Sequence, residues 1–257
     1  MRAETLPAVA GWRWINAGFA IFRRNPPLLS MLVVCYWLTV LVLNVLPVIG
    51  TVAASLAIPG LSVGLMQAAR DLERGQQVGL QTLFGGFRRN PRTLVALGAL
   101  YLCCTLAVIG ATALVDGGEL LRFMLEAKPG DREALESGDL MLPALVGLLL
   151  ITPVVMAWWF APLLAAWNDL GVGKALFFSF VACWMNWRPF LVYGAGLAVV
   201  AVLLPGLVAS VILLVVPEAK GFATALITVP MVLIIAPAIF ASFYATYRDV
   251  FGQSELV

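Results

Sequence analysis

The sequence predicts an all-α, polytopic membrane protein with six transmembrane helices, three short interfacial amphipathic helices and three parallel pseudo-repeats. Three observations predict it. The 257-residue chain is 62% apolar and only 12% charged, with a mean hydropathy of +0.98. A soluble domain carries about 25% charged residues, so lipid must face much of this one. Six long apolar runs have no charge in their interior, and about 20 such residues cross a bilayer as a helix. Finally, "FAIFRRNP" at 19–26 returns as "FGGFRRNP" at 84–91.

The elements follow in order. "GWRWINAGFAIFRRN" places Trp12, Ile15, Phe19 and Phe22 on one helical stripe, the pattern of a helix in the membrane interface. Two spans follow, at 27–46 and 50–69, joined by "PVIG", which suits a tight hairpin. "VGLQTLFGGFRRN" is the second interfacial segment, with Leu80, Leu83, Phe84 and Phe87 on one face, and it leads into a span at 93–115. The loop 116–139 holds seven acidic and three basic residues; its "GGELLRFMLEA" suits a surface helix and its "KPGDRE" a turn. A fourth span occupies 140–167. "VGKALFFSFVACWMNW", with Leu176, Phe180 and Trp184 on one face, is the third interfacial segment, before spans at 189–216 and 222–247. The whole chain, 1–257, reads as a single integral membrane domain.

Basic residues orient the spans. With the N-terminus inside, the inner segments hold 12 Arg and Lys and the outer ones 4. The positive-inside rule therefore predicts that both termini are cytoplasmic and that loop 116–139 is extracytoplasmic.

The repeat is three-fold. "FVACWMNWRP" aligns with the two arginine motifs, so that Asn25, Asn90 and Asn186 each stand six residues after a Phe. Each motif reads as an elbow: arginine faces the negative end of the helix dipole, Asn closes the helix in the left-handed region, and Pro26, Pro91 or Pro189 opens the next helix. Each unit then closes on an acidic exit, "AARDL", "AWNDL" or "TYRDV", carrying Asp71, Asp169 or Asp249. The units cover about 11–71, 79–169 and 173–249. Two spans per unit make the copies parallel.

The even-numbered spans carry stripes of small residues: Ala53, Ala57, Gly60, Gly64 and Ala68; Ala157, Ala161 and Ala165; Ala238, Ala241 and Ala245. Small residues at this spacing let membrane helices approach closely, so the even spans are expected to form the inner layer. Prolines gather there too: Pro59, Pro153, Pro162, Pro230 and Pro237. They either kink helices to fit their packing or free carbonyls to line a cavity.

Chemistry-bearing groups are sparse. Histidine is absent, which removes the commonest metal ligand and acid–base catalyst. Cys35, Cys103, Cys104 and Cys183 lack metal spacing and read as small buried apolar residues. No nucleotide, hydrolase or zinc-protease motif is present, so no catalytic residue, metal site or cofactor is expected. No span carries a charge at its middle, and Asn44, Gln67, Thr39, Thr105 and Thr152 are its most polar residues. Asn44 and Gln67 are expected to bond between helices. Arg23, Arg24, Arg88, Arg89 and Arg92 either orient the chain or contact anionic headgroups. Asp71, Asp169 and Asp249 either form an acidic cluster on the cytoplasmic face, able to bind a cation or a basic partner, or pair with neighbouring arginines.

"GWRWINAGFAIFRRNP", "PGLSVGLMQAARDLERG", "LVDGGELLR" and "WWFAPLLAAWNDL" together resemble a family of uncharacterised six-span inner-membrane proteins of proteobacteria, over almost the whole chain. The resemblance implies a bacterial inner membrane and no reaction. The expected function is non-enzymatic: organising lipid or assisting other membrane proteins. The expected partners are membrane lipids and other membrane proteins or further copies of this chain, with no nucleic acid. The alternative is a transporter or flippase for an apolar or lipid-like substrate, working through a cavity between the proline-kinked even spans.

Overall fold

The computed structural model describes residues 3–118, 121–122, 141–216, 218 and 220–252. The surface helix and turn expected in the 116–139 loop lie almost wholly outside the described residues. The described elements are helical throughout: α1 (Ala10–Phe22), α2 (Pro26–Leu43), α3 (Ile49–Glu73), a 3-10 segment (Leu80–Arg88) and α4 (Pro91–Asp116). Next come α5 (Met141–Trp159), α6 (Ala161–Trp167), α7 (Val172–Met185) and α8 (Trp187–Ala198). A π-turn, Val199–Leu203, joins α8 to α9 (Leu204–Val215), and a second, Met231–Ile235, joins α10 (Lys220–Pro230) to α11 (Ala236–Phe251). Six stretches are long and apolar enough to span a membrane: Pro26–Leu43, Ile49–Glu73, Pro91–Asp116, Met141–Trp167, Trp187–Val215 and Thr224–Phe251. This is the all-α polytopic architecture that the apolar runs predict.

The two π-turns precede Pro205 and Pro237. A proline removes the N–H that would bond the carbonyl four residues back. At Pro237 that carbonyl belongs to Leu233, and the Ser30 hydroxyl of α2 donates to it. A hydroxyl from a neighbouring helix is one of the ways a membrane helix tolerates proline.

Packing follows a cyclic order. The 3-10 segment lies on α3, α7 lies on α5, and α1 lies on α11 and α8. Each interfacial element thus rests on the span before it in the chain, and α1, with none before it, rests on the last. These contacts are close because small residues allow them. A Cβ on Gly18 would strike the Ala238 carbonyl of α11, and one on Gly64 would strike the Leu83 carbonyl of the 3-10 segment. The stripes on the even spans are accordingly turned inward: Gly60, Gly64 and Ala68, Ala161 and Ala165, and Ala238, Ala241 and Ala245 are buried.

Several local expectations are corrected. The second interfacial element is a 3-10 segment rather than an α-helix; Gly85 and Gly86 weaken α-propensity there, and its backbone is held against α3. On α1 the fully buried tryptophan is Trp14, while Trp12 is exposed. Of the expected stripe, Ile15 and Phe22 are buried and Phe19 packs against the core, so Trp12 is the member that leaves the packing face. Of the cysteines only Cys183 is buried, and Cys103 is exposed, because the apolar helix that carries it needs no burial in a lipid solvent.

Candidate functional site

The three elbows share a sequence pattern but not a conformation. Asn25 is not left-handed: at φ −155° it caps α2, its side chain accepting from the Leu28 N–H at 3.3 Å, and Pro26 takes the first helical position. Asn90 is left-handed, at φ 49° and ψ 49°, ahead of Pro91. Its Nδ2 donates to the Ala165 carbonyl at 3.2 Å and its Oδ1 accepts from Thr93 Oγ1 at 2.7 Å. Asn186 has φ −109° and is fully buried. It accepts from the Leu6 N–H at 2.9 Å and donates to the Glu4 carbonyl at 2.8 Å and the Ala182 carbonyl at 3.0 Å. Pro189 is the third residue of α8 rather than its first. Only one of the three asparagines therefore adopts the left-handed closure, although all three side chains are engaged in hydrogen bonds. That segment also reaches α11, where the Glu4 N–H donates to the Val250 carbonyl at 2.9 Å.

The elbow arginines divide as well. Arg23 caps α1 and its Nε reaches the Phe19 carbonyl at 3.4 Å. Arg24 instead caps the neighbouring helix α3, donating to the Leu72 and Glu73 carbonyls at 3.2 and 2.6 Å. It thus complements the negative end of a helix two elements away. Arg88, Arg89 and Arg92 are exposed around the second elbow, beside exposed Phe84.

The acidic exits are held separately. Asp71 accepts from Gln67 Nε2 at 2.7 Å, a bond within α3 rather than the expected bond between helices. Asn44 bonds the Val40 carbonyl of its own helix and also accepts from Thr51 Oγ1 across the hairpin at 3.3 Å. Asp249 accepts from Arg248 Nε at 2.9 Å and from the buried Trp14 Nε1 at 3.1 Å. Asp169 is exposed and left-handed, at φ 51°. Among the described residues no three His, Cys, Asp or Glu are grouped to hold a metal ion.

Two half-open spaces lie where the even-numbered spans converge. The first is a cavity of about 430 Å³ between α2, α3, α4, α5, α6 and α11. Its walls are aromatic and aliphatic, including Trp158, Trp159, Phe240 and Phe243, with Pro59 and Pro162 among them. Its polar groups are hydroxyls and indoles, among them Tyr36 and Ser62; Trp158 donates to the Leu97 carbonyl at 3.0 Å, and Trp159 donates to Thr246 Oγ1 at 3.3 Å. No residue lining it carries a formal charge. Such a space suits an apolar chain.

The second space is a cleft of about 250 Å³ lined by Arg70, Glu73, Arg74, Trp167, Tyr244, Tyr247, Arg248 and Gly252. The Glu73 carboxylate pairs with Arg248 and accepts from the Tyr244 hydroxyl at 2.8 Å. Arg70 stacks over the Trp167 ring at 4.8 Å, a cation–π contact. Tyr247 donates to Asn168 Oδ1 at 2.9 Å. None of the exit aspartates lines this cleft. Glu73, two residues past the first exit, is the acid that joins α3 to α11. The legible signal was "YATYRD", two polar-tipped aromatics beside an arginine at a span end, the pattern of an interfacial anchor.

Cys183 sits at the third elbow, three residues before Asn186. Burial pushes its thiol up to about 12, so it stays protonated and unreactive at neutral pH.

No protein-family profile matches the chain, and no solved structure matches it. A probable inner membrane protein of Burkholderia thailandensis is 39% identical over 262 aligned residues, which cover 99% of this chain and 96% of the relative. The alignment over nearly the full length of both chains shows that this chain belongs to the family of that probable inner membrane protein, and its six apolar helices of spanning length make it a multi-pass member.

Proposed function

We propose that the protein is a non-enzymatic lipid-binding component of the inner membrane that gathers anionic phospholipid around its basic elbows, with both termini in the cytoplasm. The observation that supports this is the second elbow. Arg88, Arg89 and Arg92 are exposed there beside an exposed Phe84, where the 3-10 segment that packs along α3 turns into α4. Each such charge adds about 1 kcal/mol of attraction to an anionic leaflet. The test is native mass spectrometry of protein released from mixed-lipid nanodiscs. Wild type should retain phosphatidylglycerol over phosphatidylethanolamine, and R88Q/R89Q/R92Q should lose that preference. Equal retention by both proteins removes the reading. Orientation is checked separately by labelling single cysteines placed in the loop between α3 and the 3-10 segment.

A second reading, movement of an apolar or lipid-like substrate, draws on the 430 Å³ cavity that Pro59 and Pro162 help to line. It requires that purified protein accelerate lipid exchange between the leaflets of a liposome.

A further inference from the structure

We propose that the 430 Å³ cavity is a binding site for one molecule of a neutral lipid with a flat, oxygen-bearing ring, the chemistry of an isoprenoid quinone. The site rests on the second reading above only for its place in the bundle, since binding requires no movement between leaflets. The first observation is where the cavity opens. Its lining residues nearest the end that carries the termini, Val63, Met66 and Leu163, are buried. Further from that end Ser55 is half-buried, and Ile58 and Tyr101 are exposed. Ser55 and Ile58 lie inside the span that begins at Ile49, and Tyr101 inside the one that begins at Pro91. At 1.5 Å of rise per residue, the mouth stands roughly 9–15 Å from the nearer span ends. It therefore sits in the apolar part of the spans, where a molecule dissolved in the bilayer reaches it directly.

The lining then limits the ligand. None of its residues is formally charged, so a phospholipid headgroup drawn inside would stand unpaired, at a heavy desolvation cost. The indole N–H groups are already spent, Trp158 on the Leu97 carbonyl and Trp159 on Thr246. Ser55 gives its proton to the Thr51 carbonyl at 2.8 Å. Tyr36, Ser62 and Tyr101 supply the remaining hydroxyls. Hydroxyls give and take hydrogen bonds without charge, which matches carbonyl or hydroxyl oxygens on an uncharged ligand. A plain hydrocarbon chain would make no use of them.

The walls favour a ring over a chain. Tyr36 packs on Phe240, Tyr101 on Trp158 and Trp159 on Phe243, with ring centroids 5.4, 5.7 and 5.0 Å apart. These pairs link α2 to α11, α4 to α5 and α5 to α11 around the space. Aromatic rings gain from tilted and edge contacts beyond the area they bury, and a further flat ring extends the same set. Walls braced in this way are formed before the ligand arrives, and a rigid ring loses less freedom on entering them than a flexible chain does. The volume of 430 Å³ also falls in the usual range for ligand sites, roughly 300–1,000 Å³.

The test uses the full chain in detergent, washed free of lipid and then offered decylubiquinone, decanol or phosphatidylglycerol. The expected result is one quinone held per chain by native mass spectrometry, with decanol retained about tenfold less. Excess phosphatidylglycerol should not displace the quinone, which separates this site from the elbows. Ser62→Phe fills the space and should abolish retention. Tyr36→Phe keeps the ring, removes one hydroxyl and should weaken retention about fivefold, the scale of one neutral hydrogen bond. Equal retention of decanol would remove the role of the ring, and displacement by phosphatidylglycerol would make the cavity a seat for phospholipid chains. Either result overturns the proposal, as does full retention by Ser62→Phe. Should that variant fail to fold, wild type is photolabelled with an azido-quinone. Labels on the peptides carrying Tyr36, Trp158 or Phe240 support the site, and labels confined to the outer faces of α8 and α9 overturn it. Lipid exchange between leaflets is scored separately, so that the second reading can fail while the site stands.

Discussion

The second and third elbows began from one sequence pattern and ended as opposites. At the second, Asn90 stands in the left-handed region and three arginines around it are exposed. At the third, tryptophan and methionine replace the arginine pair, and Asn186 is fully buried under the N-terminal segment. The second is fastened by backbone contact, with Leu83 against Gly64 of α3. The third is fastened by an amide that serves Leu6, Glu4 and Ala182 together. An elbow of this protein therefore needs a clasp, but the clasp can be a glycine contact or a side-chain hydrogen-bond hub. All three elbows expose arginine, Arg23 and Arg24 at the first, Arg88 and Arg89 at the second and Arg188 at the third, but only the second gathers three.

That contrast can be broken in order of expected effect. Gly64→Leu drives a side chain into the Leu83 carbonyl, which cannot rotate away. It should cost about 3 kcal/mol or more and expose residues 80–88 to proteolysis. A normal melting temperature in detergent would show that the second elbow is not clasped there. Asn186→Ala strands the Leu6 N–H and the Glu4 carbonyl, and should cost about 2–3 kcal/mol. Its particular sign is earlier protease cleavage near the N-terminus, which Gly64→Leu should not produce directly.

Asn25→Ala removes only a cap at 3.3 Å and should cost about 1 kcal/mol, read as a small shift of the melting temperature. The smallest effect concerns Cys183. A thiol whose folded pKa is raised to about 12 favours the folded state below its unfolded pKa, and that contribution fades as pH rises from about 8.5 toward the folded value. Between pH 6 and 8, then, roughly no stability change should arise from it, and maleimide should label it only after unfolding. Rapid labelling of the native protein at pH 8 would mean that the third elbow opens.

Much of the fold was legible because it depends on the solvent. A lipid environment demands apolar helices of sufficient length, and the six charge-free runs met that demand within a few residues of the observed spans. The small-residue stripes were legible for a related reason: close helix approach requires them wherever the neighbours stand. The site was less so. Asp71, Asp169 and Asp249 shared a motif and were weighed as a group, yet each has its own surroundings, and the acid that joins two spans is Glu73. Arg24, at the end of α1, caps α3 instead.

By itself, the sequence determined what each segment must do with its backbone: six spans, three junctions broken by Asn and Pro, and a basic rim. Those follow from local polarity and from the need to satisfy every N–H and C=O in a lipid. Tertiary structure alone decided which side chain closes each junction, because the left-handed, extended and buried states of Asn90, Asn25 and Asn186 are close in intrinsic energy. It also decided that an uncharged aromatic cavity and a cleft lined by Arg70, Glu73, Arg74 and Arg248 are built from the same three helices. That depends on the relative height of three helices, a quantity that no single helix encodes.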